Sequence, residues 1–85
     1  MELGNVVEYI DQQKILCAVV LDIKNKRLRI LNEANREINL SAGRISHASR
    51  TCLDLSSGRT RVVDSLREIS RRRCHLIKSI DVEEL

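Results

Sequence analysis

The chain has 85 residues, of which 42% are hydrophobic and 32% charged, and its net charge is +3. That length bounds one small domain, or one domain with an appendage, and the balance of apolar to charged residues excludes a disordered chain. With no Phe, no Trp and a single Tyr, any core has to be built from Val, Ile and Leu.

No run approaches the roughly 18 apolar residues of a membrane span, so no membrane partner is expected. The N-terminal MELGNVVEY has an acid at position 2 and no basic segment. It does not read as a secretory signal, and a cytoplasmic location is the expectation. Three cysteines at wide spacing form no CxxC and no Cys/His zinc pattern. Cys17 reads as a small core residue, Cys74 as a helix-face thiol beside a solvated His75, and His47 as structural or solvent-facing.

In chain order, residues 6–10 alternate imperfectly and predict a first strand. The polar residues 11–14 predict a turn, although they include no Gly. Residues 15–23, ILCAVVLDI, predict a second strand buried on both faces. A helix competes here, but nine residues without a cap are short for one. Alternation puts Ile15, Cys17, Val19, Leu21 and Ile23 on one face and Leu16, Ala18, Val20 and Asp22 on the other. Lys24-Asn25-Lys26 is a turn, with Asn25 suited to the left-handed conformation. Residues 27–31 make a half-exposed strand, with Leu28 and Ile30 opposed to Arg27 and Arg29. Residues 32–35 form a hairpin loop with Asn at each end, and residues 36–40 a fourth strand. Residues 41–43 suggest a 3₁₀ turn, and residues 44–49 a fifth strand around Ile45. Five short strands at close spacing predict a small SH3-like antiparallel barrel over residues 1–50.

Residues 51–59 lose periodicity and read as a linker, broken at Ser56-Ser57-Gly58. A helix is predicted over residues 60–80, with Thr60 as N-cap and Asp64 in its first turn. At 100° per residue, Val62, Val63, Leu66, Ile69, Cys74, Leu76, Ile77 and Ile80 form its apolar arc. Glu68 and Arg72 are spaced for an i,i+4 ion pair. About 50 residues are thin for a core, so the Val62–Leu66–Ile69–Ile77 side is expected to lie on the barrel or on a second copy. Residues 81–85 have the form of a capping box and read as the start of a following helix, cut short.

Charge is unevenly placed. Residues 1–58 hold eight Lys/Arg against seven Asp/Glu, residues 59–80 seven against two, and residues 81–85 three acids. The basic helical set is Arg59, Arg61, Arg67, Arg71, Arg72, Arg73 and Lys78. Guanidinium forks on one face suit phosphate, and a solvated helix face is the plainer alternative. A second set, Lys24, Lys26, Arg27, Arg29 and Arg36, falls on the barrel wall. With only Tyr9 as an aromatic, base stacking and a peptide groove of the SH3 kind are both poorly provided for. There is no Gly-rich phosphate loop, nucleophile elbow or His pair, so no catalytic residue and no cofactor is assigned within the chain.

Several stretches carry a family resemblance. G-x-V-V-E-Y at residues 4–9, K-x-L-x-A-V-V at 14–20, and R-x-I-x-L with R-I-S-H between 36 and 47 resemble the N-terminal SH3-like segment of one branch of the ribonuclease II (RNB) family. S-L-R-E-I-S-R-R-R at 65–73 and D-V-E-E-L at 81–85 resemble the linker helix and the start of the next helical domain. The resemblance implies an accessory, non-catalytic piece of a hydrolytic 3′→5′ exoribonuclease. Its RNA would be bound through the parent protein, and its magnesium held in a catalytic domain outside this chain. The neighbouring helical domain is then the expected partner. The alternatives are a small interaction module, dimerising or binding a partner through the apolar helix stripe, and a nucleic-acid-binding regulator using the basic helix.

Overall fold

The structure is a computed structural model that describes the backbone of residues 1–84 and the side chains of residues 1–72. It is mainly β, with five strands in one antiparallel sheet and a single C-terminal helix. The strands are β1 (Asn5–Asp11), β2 (Lys14–Lys24), β3 (Arg27–Asn32), β4 (Glu37–Ser41) and β5 (Ile45–Cys52), in the spatial order β4-β3-β2-β1-β5. A 3₁₀ turn over Ala42–Arg44 joins the two end strands, and α1 spans Arg59–Glu84.

The sheet is curled. Val7 and Tyr9 of β1, Ala18 and Val20 of β2, Leu28 and Ile30 of β3 and Leu40 of β4 share one buried cluster, with Ile45 of β5 packed against it. In a flat sheet β5 and β4 would stand roughly 19 Å apart, four spacings of about 4.8 Å. Among the described residues no helix side chain covers this face, yet Val7, Val20 and Ile30 are fully buried, so the sheet curls over its own face as the predicted SH3-like barrel does. A second cluster lies outside the sheet, where Val6, Cys17, Val19 and Leu31 meet Val62, Val63 and Leu66 of α1. β2 serves both layers. Cys17 and Val19 face the helix and Ala18 and Val20 face the barrel interior, all four fully buried. This is why residues 15–23 have almost no polar position.

Hairpin chemistry follows the local sequence. Gln12 and Gln13 both take left-handed backbone (φ 49 and 65) to close β1 on β2, a conformation that Asn or Gly adopts with less strain. Asn25 takes φ 56 at the β2–β3 turn. In the β3–β4 loop the Asn32 side-chain oxygen accepts from the backbone N–H groups of Ala34 and Arg36, and Asn35 takes φ 64. The Asn32 amide also donates to the buried Tyr9 hydroxyl at 3.0 Å. Burial raises the Tyr9 pKa, and that hydrogen bond partly offsets the rise.

Tertiary structure revises several expectations. The β2–β3 register slips between Val20 and Asp22, so Leu21 packs on the helix side while Ile23, paired with Leu28, turns to the barrel interior. Simple alternation assigns Ile23 to the other face, and a bulge is what alternation cannot contain. Ile15 sits near the hairpin tip and is exposed. The 3₁₀ turn takes in Arg44, and β5 runs on to Cys52. Its register against β1 shifts twice, and Asn5 donates to the Ser49 and Thr51 carbonyls across one irregularity.

The expected linker is also structured. Leu55–Ser57 form a 3₁₀ turn capped by Asp54, and Leu53 and Leu55 pack on the outer cluster. Hydrogen bonds from Ser56 to the Asp54 carboxylate lower its pKa. The helix begins at Arg59 rather than with Thr60 as cap. Gly58 (φ 102) precedes it, and its carbonyl accepts the first helical bond, from Val62 N–H. Asp64 consequently falls beyond the first turn. The helix lays Val62, Leu66 and Ile69 on the sheet, as predicted. The Cys74, Leu76, Ile77 and Ile80 side chains lie outside the described residues. α1 runs through Asp81 without a break, where the capping-box pattern predicts a new helix. Among the described residues no helix is long and apolar enough to cross a membrane.

Candidate nucleic-acid interface

Strand register gathers the cations of the β2–β3 hairpin. On the outer face of the sheet Ser41, Arg27 and Lys24 form one row across β4, β3 and β2, and Asn39, Arg29 and Asp22 form the next. The third row, Glu37, Leu31, Val19 and Val6, leads under the helix. Arg27 and Arg29 are two residues apart on one strand face, about 6.6–6.8 Å. Asp22, Lys24, Asn25, Lys26, Arg27, Arg29 and Asn39 line one shallow depression at this end of the sheet, together with Leu28. Among the described residues, no side-chain hydrogen bond or ion pair engages Lys24, Lys26, Arg27 or Arg29. Asp22 supplies the depression's one carboxylate, and one of its oxygens already accepts from Ile23 N–H at 2.9 Å.

Arg36 does not join this patch. It lies in the β3–β4 loop, at the opposite end of β3 and roughly 17 Å of strand from Arg27. The reason is topological: consecutive hairpin turns fall at opposite ends of a meander, so one basic set read along the chain is split in two.

The helical set is placed differently. Arg59 donates to the side chain of Asn35 at 2.7 Å and to its carbonyl at 3.0 Å. Arg67 donates to the Glu33 carbonyl at 2.9 Å. Both arginines tie the helix to the β3–β4 loop, and the Glu33 carboxylate in turn accepts from Cys17 N–H. Arg72 pairs with Glu68 at 2.9 Å, the predicted i,i+4 contact. Arg67 and Arg71 share a hollow with Glu33, Asp64, Glu68 and Ser70, so charges of both signs alternate there. Arg61 is exposed near the start of the helix. The side chains of Arg73 and Lys78 lie outside the described residues.

Asn25, Asn39 and Ser41 were not candidates from sequence: none is charged, and Asn39 and Ser41 come beside the cations only through cross-strand pairing with Arg29 and Arg27. The cysteines offer no activated thiol among the described residues. Cys17 is buried, and the exposed Cys52 has its pKa raised, first by donating to the Glu2 carboxylate. Among the described residues no three His, Cys, Asp or Glu side chains are grouped to hold a metal ion.

No family model, no curated protein and no solved structure matches the chain.

Proposed function

We propose that this chain is a non-catalytic accessory domain of a ribonuclease II-type 3′→5′ exoribonuclease, and that the outer sheet face at the β2–β3 hairpin adds positive charge to the path of the RNA. One observation carries the RNA-facing role: Lys24, Lys26, Arg27 and Arg29 converge at one depression, exposed and unpaired among the described residues. The family assignment rests on the sequence resemblance at residues 4–9, 14–20, 36–47 and 65–73, and an SH3-like barrel followed by a helix is compatible with it. The catalytic magnesium of such an enzyme belongs to a domain outside this chain, and no chemical step is assigned to these residues.

The basic helix is the weaker candidate for the RNA contact. Arg59, Arg67 and Arg72 are already bound within the chain, and Asp64 and Glu68 lie among them. A partner docking on the Val62–Leu66 part of the apolar stripe would have to displace the sheet.

Two measurements test the proposal. Replacing Lys24, Lys26, Arg27 and Arg29 together by Gln is expected to abolish most RNA affinity at low salt, whereas Arg61→Gln with Arg71→Gln leaves it nearly unchanged. Equal affinity in all three proteins would remove the hairpin face from the RNA path. An antibody to the chain should detect a gene product several-fold larger than 85 residues. A band at the chain's own size would remove the exoribonuclease assignment.

A further inference from the structure

We infer that the hairpin face holds the sugar–phosphate backbone of a single strand and reads neither base nor sugar, so that it takes single-stranded DNA as well as RNA. The inference rests on the nucleic-acid role proposed above and specifies which part of the ligand is bound.

The first ground is the arrangement of charge. Arg27 and Arg29 project from the same face of β3, with Lys24 directly across from Arg27 and Lys26 at the turn. Their separation of about 6.6–6.8 Å along the strand is of the order of the distance between successive phosphates of an extended polynucleotide. Each guanidinium can fork onto one phosphate, and the lysines add point charge. Asn25, Asn39 and Ser41 stand beside them as neutral donors to phosphate oxygens.

The second ground is the lack of a base platform. Single-strand binders that hold bases stack them on aromatic side chains. The one aromatic residue of this chain, Tyr9, is 1% exposed, packs in the barrel interior and accepts from Asn32 through its hydroxyl. Asp22 is the depression's one charged acceptor for a base amino group, and it is half-buried with one oxygen turned onto its own backbone. The Asn25 and Asn39 amides also carry acceptors, but no aromatic face stands beside them to hold a base in place. The negative charge of Asp22 also limits how far a phosphate backbone extends toward the helix. The ligand's track is therefore short, with two phosphates at Arg27 and Arg29.

The experiment titrates the intact chain into short labelled oligouridylate, oligodeoxyuridylate and oligothymidylate by fluorescence anisotropy. The three affinities are expected to agree within about threefold. For two phosphates, raising salt from about 50 to about 200 mM should weaken each by about sevenfold. R27Q/R29Q should lose most of the low-salt affinity for all three ligands, and R61Q/R71Q should keep both the affinity and its salt dependence. Circular dichroism establishes that each variant is folded. If oligouridylate binds about tenfold or more tighter than both DNA strands, and R27Q/R29Q still removes the binding, the face recognises the 2′-hydroxyl. The backbone-only inference then fails while the RNA-path reading stands. If oligothymidylate alone is favoured over oligodeoxyuridylate, the face senses the base and the inference fails likewise. Binding of none of the three, or binding indifferent to R27Q/R29Q, overturns the RNA-path reading itself.

Discussion

The outer face of the sheet has two halves with opposite fates. Leu31, Val19 and Val6 lie under the helix and are nearly or fully buried, whereas Arg29, Arg27 and Lys24, along the same faces of β3 and β2, are bare. One strand, β3, crosses the border: Arg27, Arg29 and Leu31 point the same way, and the helix edge falls between the last two. The covered half supplies core that about 50 barrel residues could not supply alone. The bare half leaves its cations exposed to solvent, with no side-chain partner among the described residues. Stability and the proposed binding thus fall to adjacent parts of one surface, and they can be perturbed separately.

The largest effect should come from the covered half. Leu66 is fully buried between α1 and the sheet, and Leu66→Ala is expected to cost about 2–5 kcal/mol in urea denaturation. A loss below about 1 kcal/mol would mean that the helix contributes little to the fold. Gly4→Ala should rank next. Gly4 has φ 85, and a Cβ there would stand 2.6 Å from the Leu53 carbonyl oxygen. The left-handed strain alone is about 1–2 kcal/mol, and the contact with backbone adds to it. A wild-type melting temperature in this variant would contradict the tight crossing of the N-terminal segment over Leu53.

The bare half should behave in the opposite manner. Arg27→Gln with Arg29→Gln is expected to shift stability by no more than about 0.5 kcal/mol, as for surface residues without partners, while affinity for single strands falls. Loss of stability comparable to that of Leu66→Ala would show that the two halves are not separable. The one gain in stability is expected at the β1–β2 turn, distant from both halves of the comparison. Gln12→Asn with Gln13→Gly should raise stability by up to about 1 kcal/mol, because these residues accept the left-handed turn with less strain. An unchanged or lower denaturation midpoint would indicate that the glutamines make compensating interactions in solution.

Much of this molecule was legible along the chain. Period-two patterning marks β3 and β4, and imperfectly β1, because a strand with one face in the core has to alternate, whereas β5 is marked by little more than Ile45. The apolar run ending in ILCAVVLDI marks β2 as the strand shared by both layers. The helical period of Val62, Leu66 and Ile69 marks the face that docks. These are local properties: side-chain geometry repeats every two residues in a strand and about every 3.6 in a helix, whatever lies around it.

Tertiary structure alone decided the rest. The bulge at Val20–Asp22 sends Ile23 inward, since an extra residue inverts every later position. The meander carries Arg36 away from Lys24, Lys26, Arg27 and Arg29, although all five lie within thirteen residues of sequence. Docking of the helix turns Arg59 and Arg67 into clamps on Asn35 and Glu33, more than twenty residues away. Composition counts positive charges, but only long-range pairing determines which are occupied within the fold and which remain available to a ligand.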